Sequence, residues 1–191
     1  MSALPQLKYS INEYMEMEAT SLEKHEFYQG EVFAMAGASI QHNQIVGNAL
    51  YLLKAHLRKK GKCQVFPSDL KIHCQINSLF TYPDLSIVCG KIETLQKHKD
   101  VVTNPTVIIE VLSASTQDYD RGRKCKLYRD IPTLNEYMII SSMEFLVEKY
   151  EKQTNGAWLL NVYHREDLFT INSIEIQTID LYEDVVFDQS A

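Results

Sequence analysis

The chain has 191 residues, 45% of them apolar, with only seven glycines and five prolines. That supports a single domain with a full core and excludes a disordered, collagen-like or low-complexity chain. The formal net charge of −6 excludes a generally basic nucleic-acid wrapper, so any grip on phosphate must come from a local patch.

Taken in chain order, Ser10-Ile11-Asn12-Glu13 has capping-box spacing and predicts a short helix through Met17. Residues 25–36 read as a hairpin turning at Gln29-Gly30. The clearest helix spans 41–60: Ile45, Val46, Ala49, Leu53 and Leu57 repeat at helical spacing, and Gly61 follows a cationic last turn. Strands are expected at 63–66, 69–76 and 84–89, then a polar stretch over 91–104. Thr106–Leu112 is the most apolar strand. A basic helix over 117–130 ends before Pro132, and strands follow at 136–141, 145–151, 157–163 and 174–179, with Asn155-Gly156 as a turn. The order predicts one α/β domain over 1–191 with a mixed sheet and no linker.

Cys63, Cys74, Cys89 and Cys125 form no Cys-x-x-Cys pair, which argues against a zinc ribbon and for buried, reduced thiols. No apolar run reaches the length of a membrane span, and the N-terminus lacks an apolar signal core. A soluble, reducing, cytoplasmic setting is the expectation.

Three features carry chemistry. Glu110 interrupts the apolar run Val107–Leu112, where an unpaired carboxylate costs several kcal/mol, roughly. It is therefore paired, metal-bound or turned to a solvated face. Pro83 marks a strand beginning and puts Asp84 at the mouth of the next apolar strand. Two acids on neighbouring strands are the least a hard divalent cation asks of a protein. In the basic helix, Lys124 shares a stripe with Leu127, Tyr128 and Ile131, whereas Lys126 lines up with Arg129 and Asp130 on a polar one. Lys124 should thus point inward toward Glu110, as a catalytic group or as an ordinary structural counter-ion, and Lys126 should point away. An Asp, a Glu and a Lys together suit metal-assisted phosphodiester hydrolysis.

Pro83-Asp84, Glu110-Val111-Leu112-Ser113, Asp120 to Tyr128 and Ile131 to Tyr137 form an ordered set, preceded by Glu26, Gly30-Glu31, Gly37-Ala38-Ser39 and His42-Asn43. The set resembles the Uma-type endonuclease family, domain of unknown function 820, of the restriction-endonuclease-like PD-(D/E)xK superfamily. The likeness runs from about residue 10 to about 165. It implies a restriction-endonuclease-like α/β fold, a mixed central sheet flanked by helices, here with an N-terminal hairpin and extra C-terminal strands. It further implies a Mg²⁺ (or Mn²⁺) dependent endonuclease acting on DNA. Asp84, Glu110 and the Val111 carbonyl would then be metal ligands and Lys124 the catalytic lysine. The superfamily's usual lysine position holds Leu112 instead, and the likeness puts the lysine on the following helix, at Lys124.

Supporting roles are open for three residues. His42 lines the site or packs as a helix-start histidine, and Glu31 and Asp69 are extra acidic groups or exposed ones. Arg121, Arg123 and Lys126 are the expected nucleic-acid contacts. His56, placed on the apolar stripe of the 41–60 helix, reads as structural, and Arg58, Lys59, Lys60 and Lys62 read as a solvated helix end. The apolar C-terminal strands predict a homodimer. The alternatives are a catalytically degenerate module that binds DNA or protein, and a fold in which Glu110–Lys124 is only a core ion pair.

Overall fold

The computed structural model describes residues 8–35, 37–113 and 117–187. Ser10 caps α1 (Ile11–Thr20) through the expected reciprocal box: its Oγ accepts from the Glu13 amide, and its own N–H donates to Glu13 Oε2 at 2.7 Å. Such a box is worth about 1 kcal/mol, and the helix runs one turn beyond the expected end. The hairpin forms β1 (His25–Tyr28) and β2 (Glu31–Ala34) around Gln29-Gly30, both at positive φ. Ala36, at its expected end, lies outside the described residues. Ser39 caps α2 (Ile40–Lys60), and Gly61 ends it in the left-handed region.

β3 (Cys63–Pro67), β4 (Lys71–Cys74), β5 (Leu79–Thr81) and β6 (Leu85–Cys89) follow. Turns on both sides make β4 shorter than the expected strand over 69–76, and β5 was not anticipated. The polar stretch 91–104 contains β7 (Thr94–Leu95) and β8 (His98–Val102), whose outward polar side chains hid their strand character. After β9 (Val107–Leu112) the basic helix is broken into three: α3 (Gln117–Tyr119), a π-helical turn (Asp120–Lys124) and α4 (Cys125–Tyr128). β10 (Glu136–Ser141), β11 (Leu146–Lys152) and β12 (Trp158–His164) are as expected, and the unanticipated β13 (Leu168–Ile171) pairs with β14 (Ile174–Gln177).

The strands form two six-stranded mixed sheets. The central one has the order β12-β11-β10-β9-β6-β3, with β9 and β10 parallel. Its odd-numbered β6 and β9 positions, Leu85, Ile87, Val107, Ile109 and Val111, pack on Ile45, Ala49, Leu53 and Leu57 of α2. The opposite face packs Val88, Ile108 and Leu112 against Cys125, Leu127 and Tyr128 of α4. The second sheet, β2-β1-β5-β4-β8-β7, meets that face on one side and α1 on the other, where Tyr14, Phe27 and Phe80 form a small cluster.

Two expectations need correction. Cys63 and Cys89 are bonded in a disulfide, while Cys74 and Cys125 are buried thiols. The antiparallel register of β3 and β6 puts Cys63 directly opposite Cys89, a juxtaposition that linear spacing does not reveal. The thiol argument for a reducing compartment is lost with it. His56 is exposed and bonds the Leu52 carbonyl at 2.8 Å, so it is not part of the buried stripe of α2. Among the described residues no helix is long and apolar enough to cross a membrane.

Candidate active site

β6 and β9 run antiparallel with Leu85 opposite Ile109, so one step further Asp84 stands opposite Glu110. Glu110 lies on the sheet face that looks toward the π-helical turn and α4, whereas Asp84, in the bend just before β6, meets the first turn of α2. Asp84 Oδ2 accepts the Val111 N–H at 2.7 Å and meets His42 Nε2 at 3.1 Å. Glu110 Oε1 accepts from the Tyr128 hydroxyl at 2.6 Å and forms an ion pair with Lys124 Nζ at 2.9 Å. Lys124 reaches Glu26 Oε1 at the same distance, 2.9 Å, with Asp120 Oδ1 at 3.7 Å. The Thr81 hydroxyl donates to Glu26 at 2.5 Å and lies 3.1 Å from the Tyr128 oxygen.

Burial pushes the Glu110 carboxyl up to about 8, and the neighbouring charges of Asp84, Asp120 and Glu26 push the same way, against the pull of Lys124. For Lys124, burial alone would lower the ammonium. Glu110, Glu26, Tyr128 and Asp120 outweigh it and hold the group well above its ordinary value. The lysine is therefore a fixed cation, and the excess of carboxylates falls on Glu110.

The donor set fits a hard divalent cation in one specific way. Among the described residues, neither Asp84 Oδ1 nor Glu110 Oε2 has a hydrogen-bond partner, and the two carboxylates are close enough for the charge of Asp84 to act on Glu110. No cluster of three or more His, Cys, Asp or Glu side chains arranged as metal ligands occurs among the described residues. A Mg²⁺ site needs none: two carboxylates suffice, with water and phosphate completing the shell.

The other expected residues divide. His42 reaches the cluster through Asp84, with its Nδ1 buried and unpartnered. Val111 contributes its N–H. Glu31 sits on β2 opposite Tyr28 and makes no contact with the cluster. Asp69 is an exposed turn residue paired with Lys24. Arg121 is held by Glu148 Oε2 at 2.6 Å and Gln117 Oε1 at 2.9 Å, which use two of its five N–H donors. Arg123 lies over the Tyr28 ring, and Lys126 is exposed, pointing away as expected. Arg58, Lys59 and Lys62 are exposed, and the Lys60 side chain lies outside the described set. Sequence reasoning did not place Glu26, Thr81 or Tyr128 in the site. Glu26 stood only among the resemblance residues, and Tyr128 stood among them and on the helical stripe without a role in the site.

The family model described as "Putative restriction endonuclease" (Uma2) matches residues 11–180. The chain belongs to the Uma2 family. An uncharacterized protein of Synechocystis sp. is 36% identical over 167 residues, covering 87% of this chain and 86% of that one. A second uncharacterized Synechocystis protein is 35% identical over 148 residues, covering 78% and 83%. Among solved structures, a nuclease of the family DUF820 from Anabaena variabilis, titled putative, superposes with a TM-score of 0.77 at 14% identity, covering 93% of this chain and 99% of that one. At that identity the likeness speaks for the fold, which is restriction-endonuclease-like. Membership of Uma2 and this fold support a nuclease-like function for the chain.

Proposed function

We propose that this Uma2 protein is a Mg²⁺- or Mn²⁺-dependent endonuclease that hydrolyses DNA phosphodiester bonds. The observation that carries the reading is the pair of carboxylate oxygens on Asp84 and Glu110, unpartnered among the described residues, beside the buried Lys124 ammonium. Asp84 and Glu110 would hold the cation, with the Val111 carbonyl as a backbone ligand. When bound, the cation stabilises charge on the phosphate and lowers the pKa of a coordinated water. The chain does the rest. The Val111 N–H and His42 fix Asp84 Oδ2, and Oδ1 has no hydrogen-bond partner among the described residues. Tyr128 and Lys124 fix Glu110 Oε1 in the same manner. Glu26 holds Lys124 in place, and its ammonium supplies a positive charge beside the phosphate and orients the attacking water. Arg123 and Lys126, exposed on the same helical segment, are the cations available to the DNA backbone.

A second reading has one observation in its favour. Lys124 already bridges Glu26 and Glu110, as a purely structural counter-ion would, and a degenerate DNA- or protein-binding module could keep that network. Calorimetric titration of Mg²⁺ or Mn²⁺ separates the two. The proposal expects binding to the wild type and none to Asp84→Ala; no binding to either would sink it.

The same reading includes a homodimer suited to cutting both strands. β12 is an edge strand that exposes Leu159, Leu160 and Val162 and carries no charge from Trp158 to Tyr163. Such an edge is covered or it aggregates. Sedimentation should give a dimer at micromolar concentration and a monomer for Val162→Lys. A monomeric wild type would contradict it.

A further inference from the structure

We propose that the cleft between α1 and the outer face of the second sheet binds a small zwitterion, a free α-amino acid with an apolar side chain. The cleft encloses about 500 Å³, within the ordinary range for small-molecule sites. One wall is a single helical stripe, Asn12, Met15, Glu16 and Ala19, and the other is built by β4, β8 and Tyr82. It lies apart from the Asp84–Glu110 cluster: Thr81 turns toward Glu26, whereas its neighbour Tyr82 turns into the cleft. The inference therefore stands whether or not the protein cuts DNA.

Lys71 lines the cleft and is only 5% exposed. Its ammonium lies against the rings of Tyr14 and Tyr82, 5.3 and 5.4 Å from their centroids. Its one hydrogen-bond contact among the described residues is the Met15 thioether, at 4.0 Å. A buried ammonium normally finds a carboxylate, and here none of the described carboxylates comes within ion-pair distance. Glu18, which also lines the cleft, is turned to other partners. It accepts from the Tyr82 hydroxyl at 2.7 Å and the His25 N–H at 3.1 Å, and meets His25 Nδ1 at 3.1 Å. Burial lowers the Lys71 ammonium from its ordinary value, while Glu18 and Asp100 act against that at longer range. Lys71 thus offers donors into the cleft that an incoming carboxylate would take.

The rim selects the other end of the ligand. Glu16 and Asp100 line the opening, are exposed and make no side-chain hydrogen bond or ion pair among the described residues. A polyanion such as a nucleotide would meet these two carboxylates at the entrance and be repelled. A molecule that carries its carboxylate inward and an ammonium outward satisfies both ends. Met15, Ala19 and Tyr82 provide apolar surface between them.

The test is NMR titration of the full chain with L-leucine, L-methionine and L-phenylalanine separately, followed by Lys71→Met and Asp100→Asn. At least one of the three should bind with a Kd on the order of 1 mM or tighter. Lys71→Met should weaken that binding about tenfold or more and Asp100→Asn by about threefold or more, since each removes a charge-assisted contact. Leucinamide and 4-methylpentanoate, which carry one charge each, should bind more weakly than leucine. Absence of binding by all three amino acids overturns the proposal. So does unchanged affinity in Asp100→Asn, an exposed substitution that keeps the test decisive if Lys71→Met does not fold. One-charge analogues that bind as well as leucine would also overturn it.

Discussion

Lys124 and Lys149 are both almost fully buried, and both face glutamates. Lys149, on β11, donates to the Thr170 carbonyl at 2.8 Å and lies 3.3 Å from Glu151 and 3.6 Å from Glu136. Glu136 is in turn occupied by the Asn172 N–H. That region is closed: its cation, acids and backbone groups answer one another, and it ties β10 and β11 to the C-terminal hairpin. Around Lys124 the accounting is open. Glu26, Glu110 and Asp120 surround one ammonium, Asp84 stands beside Glu110, and among the described residues Asp84 Oδ1 and Glu110 Oε2 are unpartnered. A buried charge alone does not mark a site; surplus charge of one sign does.

Lys124→Met should produce the largest effect. DNA cleavage should fall by about 10²- to 10⁴-fold, as when one positioned charge or proton-transfer group is removed. Without divalent cation the variant should also lose about 3–5 kcal/mol of stability, because buried carboxylates lose their counter-ion. Saturating Mg²⁺ should restore part of that loss, read as a recovery of Tm. Lys149→Met should likewise destabilise, by about 3 kcal/mol in chemical denaturation, yet leave cleavage per folded molecule unchanged. Equal loss of cleavage in both variants would erase the distinction between the two regions.

A pH effect comes next. Glu110 has a folded pKa raised to about 8 from an ordinary 4.5, so the folded state holds its proton more tightly than the unfolded chain. Its contribution to stability is complete below about 4.5 and is lost as pH rises through 8. The metal-free protein should therefore become more stable on acidification across that window, and Glu110→Gln should flatten the dependence. Burial also raises Glu136, in the closed region, and that residue will retain its share of the slope in Glu110→Gln. The smallest effect belongs to Lys126→Met. Cleavage of a short duplex should stay near wild type, with the salt dependence of DNA binding reduced by about one unit of slope if Lys126 touches a phosphate.

Much of this arrangement is legible in the sequence, for local reasons. Glu110 is visible because it breaks an apolar strand, Asp84 because Pro83 marks a strand start, and Lys124 because three apolar neighbours share its stripe, all four being buried. The rest depends on long-range pairing. Glu26 joins the site only because β1 pairs with β5 and brings it to Thr81, far along the chain. The Cys63–Cys89 bond depends on the β3–β6 register, and Lys149 reads as an exposed residue of β11 until β13 covers it. Alternation and helical spacing report which face a residue shares, not which distant element arrives there.

The central claim is that Asp84 and Glu110 hold a divalent cation used to cut DNA. Nicking of supercoiled plasmid tests it most directly, comparing wild type with Asp84→Asn at fixed Mg²⁺ and with chelator added. The account predicts nicking by the wild type that chelator abolishes and that Asp84→Asn lacks while remaining folded. Nicking that persists in Asp84→Asn or in chelator, or a folded, metal-loaded wild type that never nicks, would contradict it.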